Sequence, residues 1–163
     1  MLNLIYPEIA DQVYEGWVNS IKENGGRVPE WPSPGNAAGM IGSMSDISMA
    51  EGIVNGIIKS ADIELVYAAM LKNAFEPSKT NARKNLESYI KLGYVPGQVS
   101  ETLNYMLADY SISRVALLLN DTKNAQELEH RAHSWPSIFD HRTKFFRGKS
   151  AKGNFSDVFD EFS

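Results

Sequence analysis

Between Arg27 and Asp46 the chain reads R-V-P-E-W-P-S-P-G-N-A-A-G-M-I-G-S-M-S-D, the stretch that most limits what it can fold into. It holds three of the seven prolines. Pro29, Pro32 and Pro34 fix φ and remove backbone donors, so the segment is held extended and cannot be helical. Gly35, Gly39 and Gly42 allow φ > 0 or a close backbone approach. The run then enters a helix, so it is a stiff, tryptophan-bearing loop feeding a helix N-terminus. Such an element either shapes a pocket or serves as an ordered connection between two core helices.

Around that loop, helical periods dominate. Pro7 suits a first helical turn, and Ile5, Ile9, Val13, Trp17 and Ile21 recur every four residues. A helix is expected over 7–24 with these residues as one broad apolar face, stopped by Gly25-Gly26. Ser43 with Asp46 resembles a capping box for a helix reaching Lys59, in which Gly52 and Gly56 admit a close neighbour. Asp62 is the expected cap of a helix over 63–75. A further helix over 80–92 ends at Gly93. After the rigid Gly93–Gly97 connection, Ser100 opens the most apolar helix, 101–119. Apolar residues go nearly all round it, which predicts burial on most sides. Asn120-Asp121-Thr122 breaks it and caps a last helix, 123–134. From Phe139 the period is lost, and a loop or short hairpin is expected. The acidic tail 157–163 needs a packing partner to be ordered. The fold class is therefore all-α, six helices in antiparallel pairs, with the two proline-glycine loops at one end.

Composition excludes several functions. A hydrophobic content of 43% and a net charge of −4 over 163 residues suit one domain with a real core and no nucleic-acid surface. The apolar runs are too short for a membrane span. No cysteine is present, so thiolate chemistry and disulfides are excluded. The first eight residues lack the pattern of a signal peptide, which leaves the compartment open.

The carboxylates are the first candidates for chemistry, since paired carboxylates serve acid/base work and cation binding. Asp46 stands at a helix start, where it either stabilises the helix dipole and caps amides or takes part in a site. Asp109 lies among apolar residues in A-D-Y-S-I-S-R, and a buried aspartate there must be paired or hydrogen-bonded. His130 and His133 could share a helix face, but no third ligand follows at helical spacing, so no metal site is assigned. Trp31 is either a platform for the C–H face of a sugar or a plug in the core.

Taken together, G-G-R-V-P-E-W-P-S-P-G-N-A-A-G-M-I-G-S-M-S-D-I-S-M-A-E-G-I-V-N-G-I (25–57) resembles a segment of glycoside hydrolase family 92. Y-A-A-M-L-K-N-A (67–74), L-G-Y-V-P (92–96), V-S-E-T-L-N-Y (99–105), A-D-Y (108–110), and F-D (139–140) with F-R-G (146–148) are similar to that family's motifs in the same order. The resemblance implies part of an (alpha/alpha)6 toroid, with residues 1–163 as a single partial catalytic domain. It implies a calcium-dependent, inverting exo-alpha-mannosidase acting on terminal alpha-linked mannose of N-glycans or related mannosides. It also implies a general-acid glutamate two residues after the glycine matched by Gly35, a position that holds Ala37 here. The family's general base and most of its calcium ligands fall beyond the matched motifs, so no catalytic residue and no metal ligand is assigned. Trp31, Asn36 and Asp46 are the expected sugar-contacting or site-ordering residues, with Asp109 behind them. A mannose-containing glycan is the expected partner, and the isolated chain is expected to be inactive, as a gene fragment would be. Exposed toroid faces would favour self-association. The family is mostly secreted or periplasmic. The competing reading is a non-catalytic helical module that binds glycan or protein.

Overall fold

The computed structural model describes residues 2–30, 42–79, 81–156 and 159–160. Seven α-helices are described: α1 (Leu2–Ile5), α2 (Pro7–Glu23), α3 (Met44–Val54), α4 (Ile63–Phe75), α5 (Leu86–Leu92), α6 (Val99–Leu118) and α7 (Thr122–Ala132). The two strands, β1 (Phe139–Asp140) and β2 (Phe145–Phe146), form the expected hairpin, with Phe139 opposite Phe146. The architecture is all-α, as a portion of a helical toroid requires.

The main core joins α2, α3, α4, α6 and α7 through Val18, Ile21, Met49, Ile53, Val66, Met70, Ile112, Val115 and Leu128. A smaller core under α5 holds Leu86, Tyr89, Val95, Tyr105 and Met106. Gly52 makes the contact between α2 and α3 possible. A Cβ at this position would lie 2.7 Å from Tyr14 Cζ. The Tyr14 ring cannot simply swing away, because its hydroxyl donates to the Ser48 carbonyl at 3.0 Å and also bonds the Asn3 side chain. Gly52→Ala is therefore expected to cost about 1–3 kcal/mol by overpacking, read as a fall in thermal midpoint. An unchanged midpoint would show that Tyr14 gives way freely.

The structure differs from several expectations. On α2 the buried residues are Ala10, Tyr14, Val18 and Ile21, while Ile5, Ile9 and Val13 are exposed. Of the four-residue stripe Ile21 is buried and Trp17 packs partly against the core, while Ala10, Tyr14 and Val18 supply the rest of the buried face. On α6 the buried side carries Tyr105, Met106, Asp109, Ile112 and Val115, and Leu107, Tyr110, Leu117 and Leu118 stand in solvent. Gly56 is not within a helix. At φ +69° it follows α3, and the amides of Ile57 and Ile58 turn back to the Gly52 carbonyl.

The helix expected over 80–92 begins only at Leu86. Before it, the Asn81 side-chain oxygen accepts from Arg83 N–H, and Asn85 is left-handed at φ 54°. That local bond competes with helix formation and turns Arg83 inward. Of the expected caps, Asp121 accepts from Asn124 N–H at 3.1 Å. Ser43 and Asp62 make no side-chain cap bond, and α6 starts at Val99, before Ser100. Trp31, Asn36 and Ala37, and most of the tail 157–163, lie outside the described residues.

The loops that join the helices are tied together at one end. Asn73 Nδ2 donates to the Val28 carbonyl at 2.8 Å, and Asn81 Nδ2 to the Asn73 carbonyl at 3.0 Å. Ser43 N–H donates to Asn104 Oδ1 at 2.8 Å. The hydroxyl of Tyr105 donates to the Lys84 carbonyl, and Gly97 N–H donates to the Lys149 carbonyl beyond the hairpin. Gly148 also sits against Gly97, where an added Cβ would meet its backbone at 3.3 Å. Val28, Ser43 and Gly97 are thus held by bonds that replace secondary structure as partners for loop amides and carbonyls.

Candidate active site

Beneath that loop end lies a buried ionic cluster assembled from four helices and one loop. Asp46 comes from the first turn of α3, Arg83 from the loop before α5, Tyr89 from α5, Asp109 from the middle of α6, and Arg131 from the last turn of α7. Asp46 and Asp109 are both 0% exposed, and Arg83 is 1% exposed. Arg83 bridges the two carboxylates. Its Nη1 lies 2.5 Å from Asp109 Oδ1, and its Nη2 lies 3.4 Å from Asp46 Oδ2. Asp109 Oδ2 accepts from Arg131 Nε at 2.7 Å and from the Tyr89 hydroxyl at 3.0 Å. Asp46 Oδ1 accepts from Asn73 Nδ2 at 3.1 Å.

Two charges of each sign balance in this cluster, which is the condition for burying them at all. The guanidinium groups also lie over aromatic rings: Arg83 over Tyr105 at 5.7 Å, and Arg131 over Phe75 at 4.8 Å. Burial works against the charge on Arg83, but Asp109 and Asp46 outweigh it and hold the guanidinium above its ordinary range. Burial pushes the Asp46 carboxyl up to about 6, with Arg83 and Asn73 opposing the shift. Burial, and then the negative charge of Asp109, raises the Tyr89 hydroxyl.

Directly over Arg83 opens a cleft of about 910 Å³, with Asn24, Glu30, Asn81, Lys84 and Glu87 among its walls. Glu30 is buried, and its carbonyl accepts from Ser45 Oγ at 2.8 Å, which ties Glu30 to the first turn of α3. Amides and charges of both signs line this cleft alongside Pro77, Ala82 and Leu86.

Asp46 and Asp109, singled out separately in the sequence, therefore meet through one arginine. Asp46, expected to contact sugar or to order the site, has its carboxylate buried against Arg83 and Asn73. Asp109 is paired, as its apolar surroundings demanded. Sequence reading missed Arg83, Arg131 and Asn73. A signal for Arg83 was present in the asparagines at 81 and 85, which oppose a helix there. Nothing local marks Arg131, which reads as the outer face of a charged helix.

The described residues do not fit a calcium ion. Among them no three His, Asp or Glu side chains gather, and the oxygens of Asp46 and Asp109 are taken by guanidinium and amide donors. Calcium prefers six to eight oxygens in one cage. Among the described residues no helix is long and apolar enough to cross a membrane.

Helices packed around a buried charge cluster, with a cleft reaching Arg83, define a helical domain. The chain belongs to glycosyl hydrolase family 92, whose catalytic-domain model matches residues 1–163. It is similar to a family GH92 inverting mannosidase from Bacteroides thetaiotaomicron, with 32% identity and a TM-score of 0.86 over 95% of this chain and 22% of that one. A family GH92 alpha-mannosidase of the same organism, solved in complex with mannoimidazole, has 28% identity and a TM-score of 0.86 over 98% of this chain and 21% of its own. An "uncharacterized secreted glycosidase" of Arthroderma benhamiae is 28% identical over 125 residues, covering 66% of this chain and 16% of that protein. The chain thus spans about a fifth or less of the length of these relatives.

Proposed function

We propose that these residues form part of the catalytic domain of an inverting exo-alpha-mannosidase that removes terminal alpha-linked mannose from N-glycans or related mannosides. The observation that carries this reading is the family match along all 163 residues, joined to a cleft lined in part by Arg83 of the Asp46–Arg83–Asp109 cluster. Similarity to mannosidases, one of them holding mannoimidazole, supports mannose as the sugar.

In this reading Trp31 and Asn36 contact the sugar, while Asp46 holds the base of their segment in place and Asp109 fixes Arg83. The family resemblance puts Ala37 where a proton donor is expected. Inversion requires an acid and a base about 6.5–9.5 Å apart with water between them. In the described residues the two buried aspartates are engaged with arginines, so neither is free to activate that water. Calcium would enter through ligands other than these. Secretion is the compartment we favour, on the description of the Arthroderma relative.

The purified chain is expected to show no hydrolysis of aryl or disaccharide alpha-mannosides, with or without added calcium. Circular dichroism would confirm that the chain assayed is folded. Turnover by the folded chain that disappears in a folded Asp46→Asn variant would overturn this expectation.

A further inference from the structure

Charge along this chain is unevenly spread. The whole has 20 acidic and 16 basic side chains, yet His141 to Ser156 contains no acidic residue and carries Arg142, Lys144, Arg147, Lys149 and Lys152. Two of the five are used within the fold. Arg147 is buried, with its Nη1 2.6 Å from Asp140 Oδ2 and its guanidinium over the Phe155 and Phe159 rings. Lys149 Nζ lies over the rings of Phe155 and Tyr94. Arg142, Lys144 and Lys152 stand exposed. These three lie outside the family-like F-D and F-R-G residues at 139–140 and 146–148, so the basic patch is a feature of this chain.

Aromatic side chains flank the same charges. Successive strand residues point to opposite faces, and on β2 both Phe145 (43%) and Phe146 (40%) are exposed, so the hairpin projects. Phe145 packs only on Phe159 at 5.2 Å among the described rings, and Phe146 meets Phe139 and the half-exposed Trp135 at 5.3 and 6.2 Å. The turn between the strands closes through Lys144 N–H to the Asp140 carbonyl at 2.8 Å, with Lys144 in the left-handed region at φ 65°. A flat platform for sugar stacking needs rings on one face, whereas these rings lie on both. Phenylalanine also lacks the polar handle that tyrosine and tryptophan offer a hydroxylated ligand. Basic side chains beside projecting apolar rings match the two layers of a membrane surface, anionic headgroups outside and an apolar boundary beneath. We propose that the β1–β2 hairpin docks peripherally on an anionic lipid bilayer. Arg142, Lys144 and Lys152 meet the headgroups, and Phe145, Phe146 and Trp135 enter the boundary below them. This role is independent of the mannosidase reading.

Co-sedimentation of the folded chain with lipid vesicles tests the proposal. Binding is expected to vesicles of equal parts phosphatidylglycerol and phosphatidylcholine and not to phosphatidylcholine alone, and added salt should weaken it. Arg142→Gln with Lys144→Gly removes two charges and keeps the turn, because glycine is at ease in the left-handed region. Each basic side chain near such a surface contributes about fivefold, so this double variant should lower the partition coefficient at least about tenfold. Phe145→Ser should weaken binding and leave its salt dependence in place. The chain has no cysteine, so a polarity-sensitive dye can be attached at one introduced thiol. On His141→Cys its emission should shift to shorter wavelength with the anionic vesicles, and on Gln126→Cys of α7 it should not. Circular dichroism checks that each variant is folded. Equal binding to the neutral vesicles, unchanged binding by the folded double variant, or a shift at Gln126→Cys without one at His141→Cys would overturn the proposal. Binding to heparin or single-stranded DNA with none to the vesicles would assign the patch to a soluble polyanion and overturn it as well.

Discussion

Asp109→Asn is expected to destabilise the chain by about 3–5 kcal/mol, the cost of removing one partner from a buried ion pair. In a domain of this size that corresponds to a fall in thermal midpoint of roughly 6–20 °C. The reason is that both carboxylate oxygens are used. Oδ1 faces Arg83, and Oδ2 receives Arg131 and Tyr89. An amide in its place offers one oxygen and turns an NH₂ group toward a guanidinium. Two arginines, 1% and 6% exposed, would then share the single charge of Asp46. Removing a positive charge as well, in Asp109→Asn with Arg131→Gln, should cost less than the sum of the single changes, because the groups are coupled. Midpoints from circular dichroism give the comparison. A loss below about 1 kcal/mol would mean that water reaches the cluster and screens it.

Arg83→Met is expected to cost a similar amount at neutral pH but less in mild acid. The change leaves Asp46 with Asn73 as its partner and no opposing charge, while Asp109 keeps Arg131 and Tyr89. The sign follows from the proton. Burial already pushes Asp46 up to about 6 with Arg83 present, and losing the guanidinium removes the main effect that opposes burial. A carboxyl with a folded pKa above its unfolded value of about 3.9 holds its proton more tightly when folded. Its contribution to stability therefore falls as pH rises from about 4 through the folded pKa. Arg83→Met should accordingly be closer to wild type at pH about 5 than at pH about 7.5, where Asp46 must be buried as an anion or hold its proton at a cost. Asp109→Asn should show no such relief, since its excess charge is on arginines that acid cannot neutralise. Equal losses at both pH values in Arg83→Met would show that Asp46 stays ionised throughout.

Much of the helical layout was legible from local signals. Pro7 and Gly25-Gly26 bracket α2 to within a residue, and α4 matches its expected bounds. Gly93 stops α5 in the left-handed region at φ 76°, and Asp121 caps α7. These features are decided within a turn or two of chain by a fixed φ, a permitted positive φ, or a side-chain oxygen near free amides. The family was legible too, through motifs spread in order along the chain. Where local reading failed, a competing local bond or a distant partner was responsible. The bond from Arg83 N–H to Asn81 removed the front half of a helix. The Ser43 amide, which a capping box would pair with Asp46, donates instead to Asn104 Oδ1, 61 positions away.

By itself, then, the amino-acid sequence determined an all-α chain of family 92 and two aspartates that could not be buried unpaired. Only the tertiary structure decided which stripe of α2 and α6 enters the core. An amphipathic period shows that a face is apolar but not what lies opposite it. The tertiary structure also joined Asp46 to Asp109. They are 63 positions apart in the chain, and the arginine between them comes from a loop that neither helix predicts. Ion pairing acts over a few ångströms in space and has no period along the chain, so this cluster became visible only once the helices were packed.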